Sequence, residues 1–452
     1  MDIKKFLNAV IGTFATGLGI HLLSFVTTII VVHNLSPTDF GIFALIMSFS
    51  LTLSYLSIVG LPQVIIFFIG KQKVPRENIV GLSLFLTLCI GIGIIALGCI
   101  LKNLILHSFL KDLPSFYYYL LLIYFFISLI DTCLISIFRG FQNYLLFNIR
   151  RLLNPLGNLL GVCLLFLFFK VSIGSVVAVF IIINIVTTTW LFLKLISNTS
   201  IRFHFNWILI KSFFSYGIKS YFQLLIGHLI YQVDIYIISY LVGAKEVAFY
   251  SIAVAVATLL WFIPDTIGTI LFPTLASTQN EEEIHLFSAK VCRNTLFITT
   301  LGAISLSLIG KYLILLFYGN AYFRSINPML LILPGIVAMT GYKILTRDFS
   351  SRDRQQVPII AAIFSLIVNV CLNFLWIPKY GIEGASLAST VAYLLAGAIL
   401  IIVVKVESNI PFRKILLINK EDLKYFIVLL NRVIRKSNIM ALKTNENIIF
   451  PK

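Results

Sequence analysis

Apolar residues run in stretches of roughly 20 to 30 along most of the chain, divided by short polar connectors. Twelve such stretches fall at about 6–33, 39–70, 79–101, 116–138, 151–169, 174–196, 212–241, 247–276, 290–317, 328–347, 357–377 and 384–405. They are far too long for barrel strands. Backbone groups in hydrocarbon must bond within their own segment, so each stretch is predicted as a membrane-spanning helix and the fold as an all-α multi-pass membrane protein. The first stretch lacks a small-residue cleavage site and is read as a helix that stays.

Composition sharpens this picture. The chain is 59% hydrophobic and 12% charged, so lipid must solvate most of its surface. The net charge of +17 does not point to nucleic acid, because Lys and Arg sit in the gaps between apolar runs. With the N-terminus inside, the inner connectors hold 17 basic residues and the outer ones 7, and the tail from Lys405 adds 10 on the inner side. That asymmetry predicts both termini in the cytoplasm and an even number of spans. The six cysteines are scattered, with no CxxC or Cys/His cluster, so no metal site, cofactor or disulfide framework is expected. No Walker loop, nucleophile elbow or HExxH is present, and no enzymatic activity is expected.

The plan is repeated. Leu35–Ala44 aligns with Val242–Ser251, and Ile173–Ala178 with Glu383–Ala388, at offsets of 207 and 210. Six spans return the chain to the same side, so two lobes of like orientation are expected, 1–196 and 212–405, joined by a polar linker at 197–211. Parallel repeats of this kind fit alternating-access transporters. The end, 406–452, reads either as a basic amphipathic helix on the anionic leaflet or as a disordered tail.

Ionisable groups inside spans cost about 2.5–3.5 kcal/mol each on insertion scales, so they mark interiors or wet cavities. On the seventh span Lys219, Gln223, Gly227 and Asp234 share one face, and His228 and Gln232 the opposite one. The first stripe carries full charges and is assigned to the cavity between lobes; a structural ion pair is the alternative. His21, Asp131 and Asp265 are further candidates, the last beside a possible kink at Pro264. Any of the carboxylates could carry a coupling proton. Asn154 and Asn158 share a face, as do Asn369 and Asn373, for bonding either neighbouring helices or sugar. Arg139, Arg150, Arg151, Lys343 and Arg347 lie at inner helix ends, as positive-inside anchors or as a vestibule for phosphate.

Three segments resemble one family. Asn34-Leu-Ser-Pro-Thr-Asp-Phe-Gly-Ile-Phe43 resembles the LGPxxFGxY junction of bacterial polysaccharide flippases of the Wzx type, in the multidrug/oligosaccharidyl-lipid/polysaccharide exporter superfamily. Ser215-Tyr-Gly-Ile218, Asp234 and Val247–Ala253 look like that family's seventh and eighth helices. Asn369-Val-Cys-Leu-Asn-Phe-Leu-Trp-Ile-Pro-Lys-Tyr-Gly-Ile-Glu-Gly-Ala385 resembles its NxxLNxxLIPxYGixGAA signature. The chain departs at Ile218 and Lys219, where the family often has Leu-Pro. The resemblance spans about residues 1–405. It implies a MATE-like 12-helix flippase in the bacterial inner membrane. Such a protein moves an undecaprenyl-pyrophosphate-linked oligosaccharide to the outer leaflet for O-antigen, capsule or exopolysaccharide assembly. It also implies coupling to H+ or Na+ through Asp131, Asp234 or Asp265. Helical geometry and position along the spans select Lys219, Gln223, Asp234, His21, Asn158, Asn369, Asn373, Arg139 and Arg347 as the cavity set. A polysaccharide polymerase and chain-length machinery would act next. A multidrug/cation antiporter and a lipid II-type flippase are the alternatives.

Overall fold

The computed structural model describes residues 3–422 apart from 72–73, 109, 170, 203–206, 277 and 279; the side chains of several further helical residues, Lys219 among them, also lie outside the description. Its helices are α1 (Ile3–Asn34), α2 (Pro37–Ser57), α3 (Leu61–Lys71), α4 (Arg76–Ile100), α5 (Lys102–Ser108), α6 (Ser115–Gly140), α7 (Tyr144–Phe168) and α8 (Ile173–Asn198). Then follow α9 (Trp207–Val242), α10 (Ala244–Thr258), α11 (Phe262–Ala276), α12 (Glu281–Tyr318), α13 (Ile326–Ser351), α14 (Gln356–Ser408) and α15 (Phe412–Leu416). Among the described residues there is no strand.

Among the described residues, eleven stretches are long and apolar enough to cross a bilayer. The twelfth crossing comes from α14, which as a straight rod would reach about 80 Å, more than twice a hydrocarbon core. It folds back at Gly381 (φ 60°, ψ −139°). Asn369 Nδ2 on one arm then donates to Ser389 Oγ on the other at 3.3 Å. The protein is therefore an all-helical, multi-pass membrane protein, as its apolar pattern predicts.

Three local departures matter. The expected span at 39–70 is two helices, because Val59 (φ 41°) and Gly60 (φ 73°) leave helical geometry. A Cβ at Gly60 would stand 2.2 Å from the Gly217 carbonyl oxygen, so the break lets α9 approach backbone to backbone. The expected span at 247–276 passes through a 3₁₀ turn at Leu259–Trp261. Pro264 has no N–H for the Leu260 carbonyl, which accounts for the tightened turn. Finally, α7 starts at Tyr144 rather than 151, capped by Asn143 Oδ1 accepting from the Leu146 N–H at 3.2 Å. Arg150 thus rides inside a helix and is 2% exposed, not a solvated anchor at a helix end.

The buried side chains form three clusters. Call the end of the bundle where α1 begins the near end. There two cores are distinct: one of first-half residues Ile58 to Leu195 joined by Ile210 and Phe213 at the start of α9, and one from Leu271 to Ile415 in the second half. At the far end one core runs through both, from Val31 and Ile46 to Ala253, Met329 and Ala396. One core joins the halves at the far end; at the near end there are two, the start of α9 packing with the first half and the rest of the second half forming the other.

The far-end closure is tight. A Cβ at Gly41 on α2 would lie 1.8 Å from the Ala244 carbonyl oxygen on α10. Asp112, in the connector before α6, accepts from the Ala244 N–H at 2.7 Å, placing a carboxylate on the N-terminus of α10. Gly243 (φ 96°) fits there because a Cβ would stand 2.9 Å from that carboxylate. Gly41→Val should force the halves apart at this end, an overpacking cost of about 1–3 kcal/mol. Spin labels at Lys111→Cys and Lys245→Cys, in a background without native cysteines, should then read a longer distance. An unchanged distance would contradict the closure.

Candidate functional site

Polar side chains collect in four places. The first is inside the second half. Asp234, 1% exposed on α9, accepts from Tyr250 Oη of α10 at 2.6 Å and from Asn373 Nδ2 of α14 at 2.6 Å. Ser389 Oγ of the other α14 arm donates to the same carboxylate. Asn373 also donates to Asn369 Oδ1 at 3.0 Å. The Asn373 carbonyl oxygen, itself buried, has no partner. No basic side chain among the described residues bonds to Asp234.

The second place is its counterpart in the first half. Arg150 Nη2 on α7 pairs with Asp131 Oδ1 on α6 at 2.8 Å and donates to Asn184 Oδ1 of α8 at 3.0 Å. Asn184 donates to Ser128 Oγ at 3.1 Å, and Asn158 donates to Asn154 Oδ1, also at 3.1 Å. Asn154 and Asn369 are 215 positions apart, as are Asn158 and Asn373, close to the offsets of the repeat. Each half therefore holds one Asp beside an Asn-x-x-x-Asn pair on the corresponding helix. The first-half site carries a guanidinium; the second-half site carries only neutral donors and acceptors.

The third place is the seam between α2 and α9. His228 Nε2 meets Thr52 Oγ1 at 2.7 Å, and its ring stacks on Tyr55 with centroids 4.2 Å apart. Ser48 Oγ donates to Gln232 Oε1 at 2.6 Å, and Tyr236 Oη bonds both Ser48 and Thr52. The face of α9 turned toward the first half is thus the His228–Gln232 face. Asp234 turns away from it, into the second half. At this depth the two stripes come out opposite to the cavity assignment made from charge, because α14 supplies donors that a charge count along α9 does not register.

The fourth place is a wall at the near half of the second repeat. Lys343 Nζ on α13 donates to both carboxylate oxygens of Asp265 on α11, each at 2.8 Å. Its ammonium lies over the Trp261 ring at 4.4 Å and faces Tyr231 at 5.8 Å. Arg347, one turn further along α13, passes Gly268, where a Cβ would stand 3.1 Å from its Nε. Phe262, one turn before Asp265, touches Phe14 and His21 of α1 across the two halves, with centroids 5.5 and 5.9 Å apart. His21 is exposed here.

The structure thus draws His21, Asp265 and Arg347 toward one region, and Asp234, Asn369 and Asn373 into another. Asn158 belongs to the Arg150 cluster. Arg139 stands apart at the near end of α6, over the Phe147 ring at 5.6 Å beside Arg151. Gln223 is half-buried on α9. The Lys219 side chain lies outside the described residues, as does the tail beyond Asp422, where a basic amphipathic segment was expected. The start of that tail is clamped: Arg293 Nε pairs with Asp422 at 2.7 Å, and its Nη1 donates to the Lys414 carbonyl at 2.7 Å. Tyr250, Ser389, Trp261 and the Arg150–Asp131 pairing were not anticipated from the chain. The matching Asn-x-x-x-Asn spacing was the available signal for the paired clusters.

With this geometry in view, comparisons place the chain. A family model described as "Polysaccharide biosynthesis protein" matches residues 6–279. A Shigella flexneri protein whose name reads "Putative O-antigen transporter" is 24% identical over 272 residues, 59% of this chain and 64% of that relative's length. The chain thus matches somewhat under two thirds of that relative. Among solved structures, the lipid II flippase MurJ in an inward closed conformation superposes with a TM-score of 0.74 at 15% identity, over 88% of this chain and 87% of its own. An inward-facing multidrug resistance MATE transporter of the MOP superfamily gives 0.72 at 15% identity, over 88% and 98%. An outward-facing MATE structure gives 0.63 at 15% identity, over 89% and 95%. These likenesses establish the fold.

Proposed function

The chain belongs to the polysaccharide biosynthesis protein family, and on that premise we propose that it is a flippase. It carries an undecaprenyl-pyrophosphate-linked oligosaccharide from the inner to the outer leaflet of the bacterial cytoplasmic membrane, for O-antigen, capsule or exopolysaccharide assembly. The observation that carries this reading is a single core through both halves at the far end above two distinct cores at the near end, one built on the first half with the start of α9 and one on the remainder of the second half. With the near end cytoplasmic, as the excess of Lys and Arg there favours, the parting between the two near-end cores faces the leaflet where such lipids are made. The halves act as two six-span lobes, 1–196 and 212–405, that rock about α2, α9 and α10.

The sugar and phosphates occupy the space between the lobes, and the prenyl tail stays in lipid. Lys343 and Arg347 face the anionic head, with His21 opposite on α1. A multidrug antiporter for cations is disfavoured by this basic wall.

Coupling is assigned to Asp234. Asp131 already has Arg150 as a tethered cation, and Asp265 has Lys343. Asp234 has no basic partner among the described residues, and a buried carboxylate must be paired, protonated or solvated. Oxygen atoms from Asp234, Tyr250, Ser389, Asn369 and Asn373 make a hard donor set suited to a proton or Na+. Deleting the gene and extracting lipid-linked sugars tests the function. Complete undecaprenyl-linked units should accumulate on the cytoplasmic side while surface polymer disappears. Normal surface polymer with new sensitivity to cationic drugs would contradict it.

A further inference from the structure

Lys343 and Asp265 are unequally held. Lys343 is 15% exposed, seated over Trp261 and beside Tyr231, whereas Asp265 is 53% exposed. The base is fixed by its aromatic bed and the acid is free to swing. Arg347 lies one turn along, so the two cations rise from the same face of α13 with Cβ atoms about 6 Å apart. The Nε of Arg347 has no hydrogen-bond partner. One carboxylate therefore faces two cations, and the wall keeps an excess positive charge. Gly268 leaves the room that Arg347 occupies.

We propose that Asp265 is an internal stand-in for the substrate's diphosphate. In the empty transporter it occupies Lys343. An entering diphosphate, with two linked anionic groups, takes Lys343 and Arg347 together and displaces the Asp265 carboxylate toward water. On the opposite leaflet the carboxylate returns to Lys343 and competes the head group off. A monophosphate or carboxylate spans only one of the two cations and displaces Asp265 poorly. The proposal rests on the flippase reading above and adds what the wall selects and how it lets go. Binding that is equally strong throughout the cycle slows release, so a competing carboxylate favours turnover over affinity. As a mere surface ion pair, Lys343–Asp265 would contribute little beyond local stability.

The test uses full-length protein in lipid nanodiscs with Trp261 as the sole tryptophan, Trp190, Trp207 and Trp376 being changed to Phe. The probes are undecaprenyl diphosphate without sugar and undecaprenyl monophosphate. Exchange of the Asp265 carboxylate for diphosphate on the ammonium that lies over the indole should alter Trp261 emission, and much less so with monophosphate. Asp265→Asn should tighten diphosphate binding about five-fold, a shift matching loss of a partly exposed competing ion pair, and should slow glycolipid flipping in vesicles. Lys343→Gln should weaken binding about ten-fold and erase the gain from Asp265→Asn. Asp265→Ser is the second variant, in case the amide finds a new bond to Lys343. Unchanged or weaker diphosphate binding in both Asp265 variants overturns the proposal. If the parent protein flips the glycolipid yet Asp265→Asn does not tighten binding, only this inference falls. If the parent ignores the diphosphate altogether, the flippase reading falls with it.

Discussion

Asp234→Asn is expected to reduce transport by about 100-fold while the protein still folds and inserts, the equivalent of losing roughly 3 kcal/mol of charge-assisted binding. The carboxylate sits among Tyr250, Asn373 and Ser389, all donating to it. An asparagine keeps the shape and leaves one carbonyl oxygen to accept from Tyr250 and Ser389. Its new NH₂ meets the Asn373 amide, which can turn so that its unpartnered oxygen accepts, at the cost of its bond to Asn369. The polar cluster keeps most of its bonds and the fold is kept. What disappears is the negative charge able to hold a proton or Na+. The variant should match the parent in amount and thermal stability in membranes and fail in flipping. Full flipping by Asp234→Asn would exclude this carboxylate from coupling.

Arg150→Met should do the opposite, destabilising the protein by about 3–5 kcal/mol because Asp131, only 15% exposed, is left beside Thr188 without its cation. Combining it with Asp131→Asn should recover most of the loss, since a pair removed together leaves no stranded charge. Thermal unfolding of the detergent-solubilised single and double variants reads this directly. Equal stability of parent and Arg150→Met would mean that Asp131 is neutral or wet and that the contrast between the two Asp clusters does not hold. The two predictions separate roles that look alike in sequence. On this account one acid is tied to a fixed cation and serves the fold, and the other, with no basic partner among the described residues, serves transport.

How far these roles were readable follows from what each signal measures. Apolar length alone yields twelve crossings, since lipid leaves a spanning segment little choice but helix. It does not register backbone direction, so the break at Val59 and Gly60 lay hidden within an apolar run. Helical geometry separated the two stripes of α9 and put each Asn pair on one face, and Asn158 and Asn373 do bond their partners one turn back. It did not reveal which stripe meets the other half, because that depends on where α14 packs. Basic residues near helix ends read alike in sequence, as anchors or as a vestibule for phosphate. Arg150 and Lys343 leave that group only when Asp131 and Asp265, 19 and 78 positions away, are brought beside them by the fold.

The most direct measurement is glycolipid flipping by the purified protein in vesicles. An undecaprenyl-diphosphate oligosaccharide is loaded in both leaflets, and its exposure on one side is followed with a lectin while a proton or Na+ gradient is imposed. The account predicts that one of the two gradients drives net movement, that collapsing it stops movement, and that Asp234→Asn shows none. Movement that ignores both gradients and survives Asp234→Asn would contradict it. So would export of a cationic dye by vesicles that leave the glycolipid where it was.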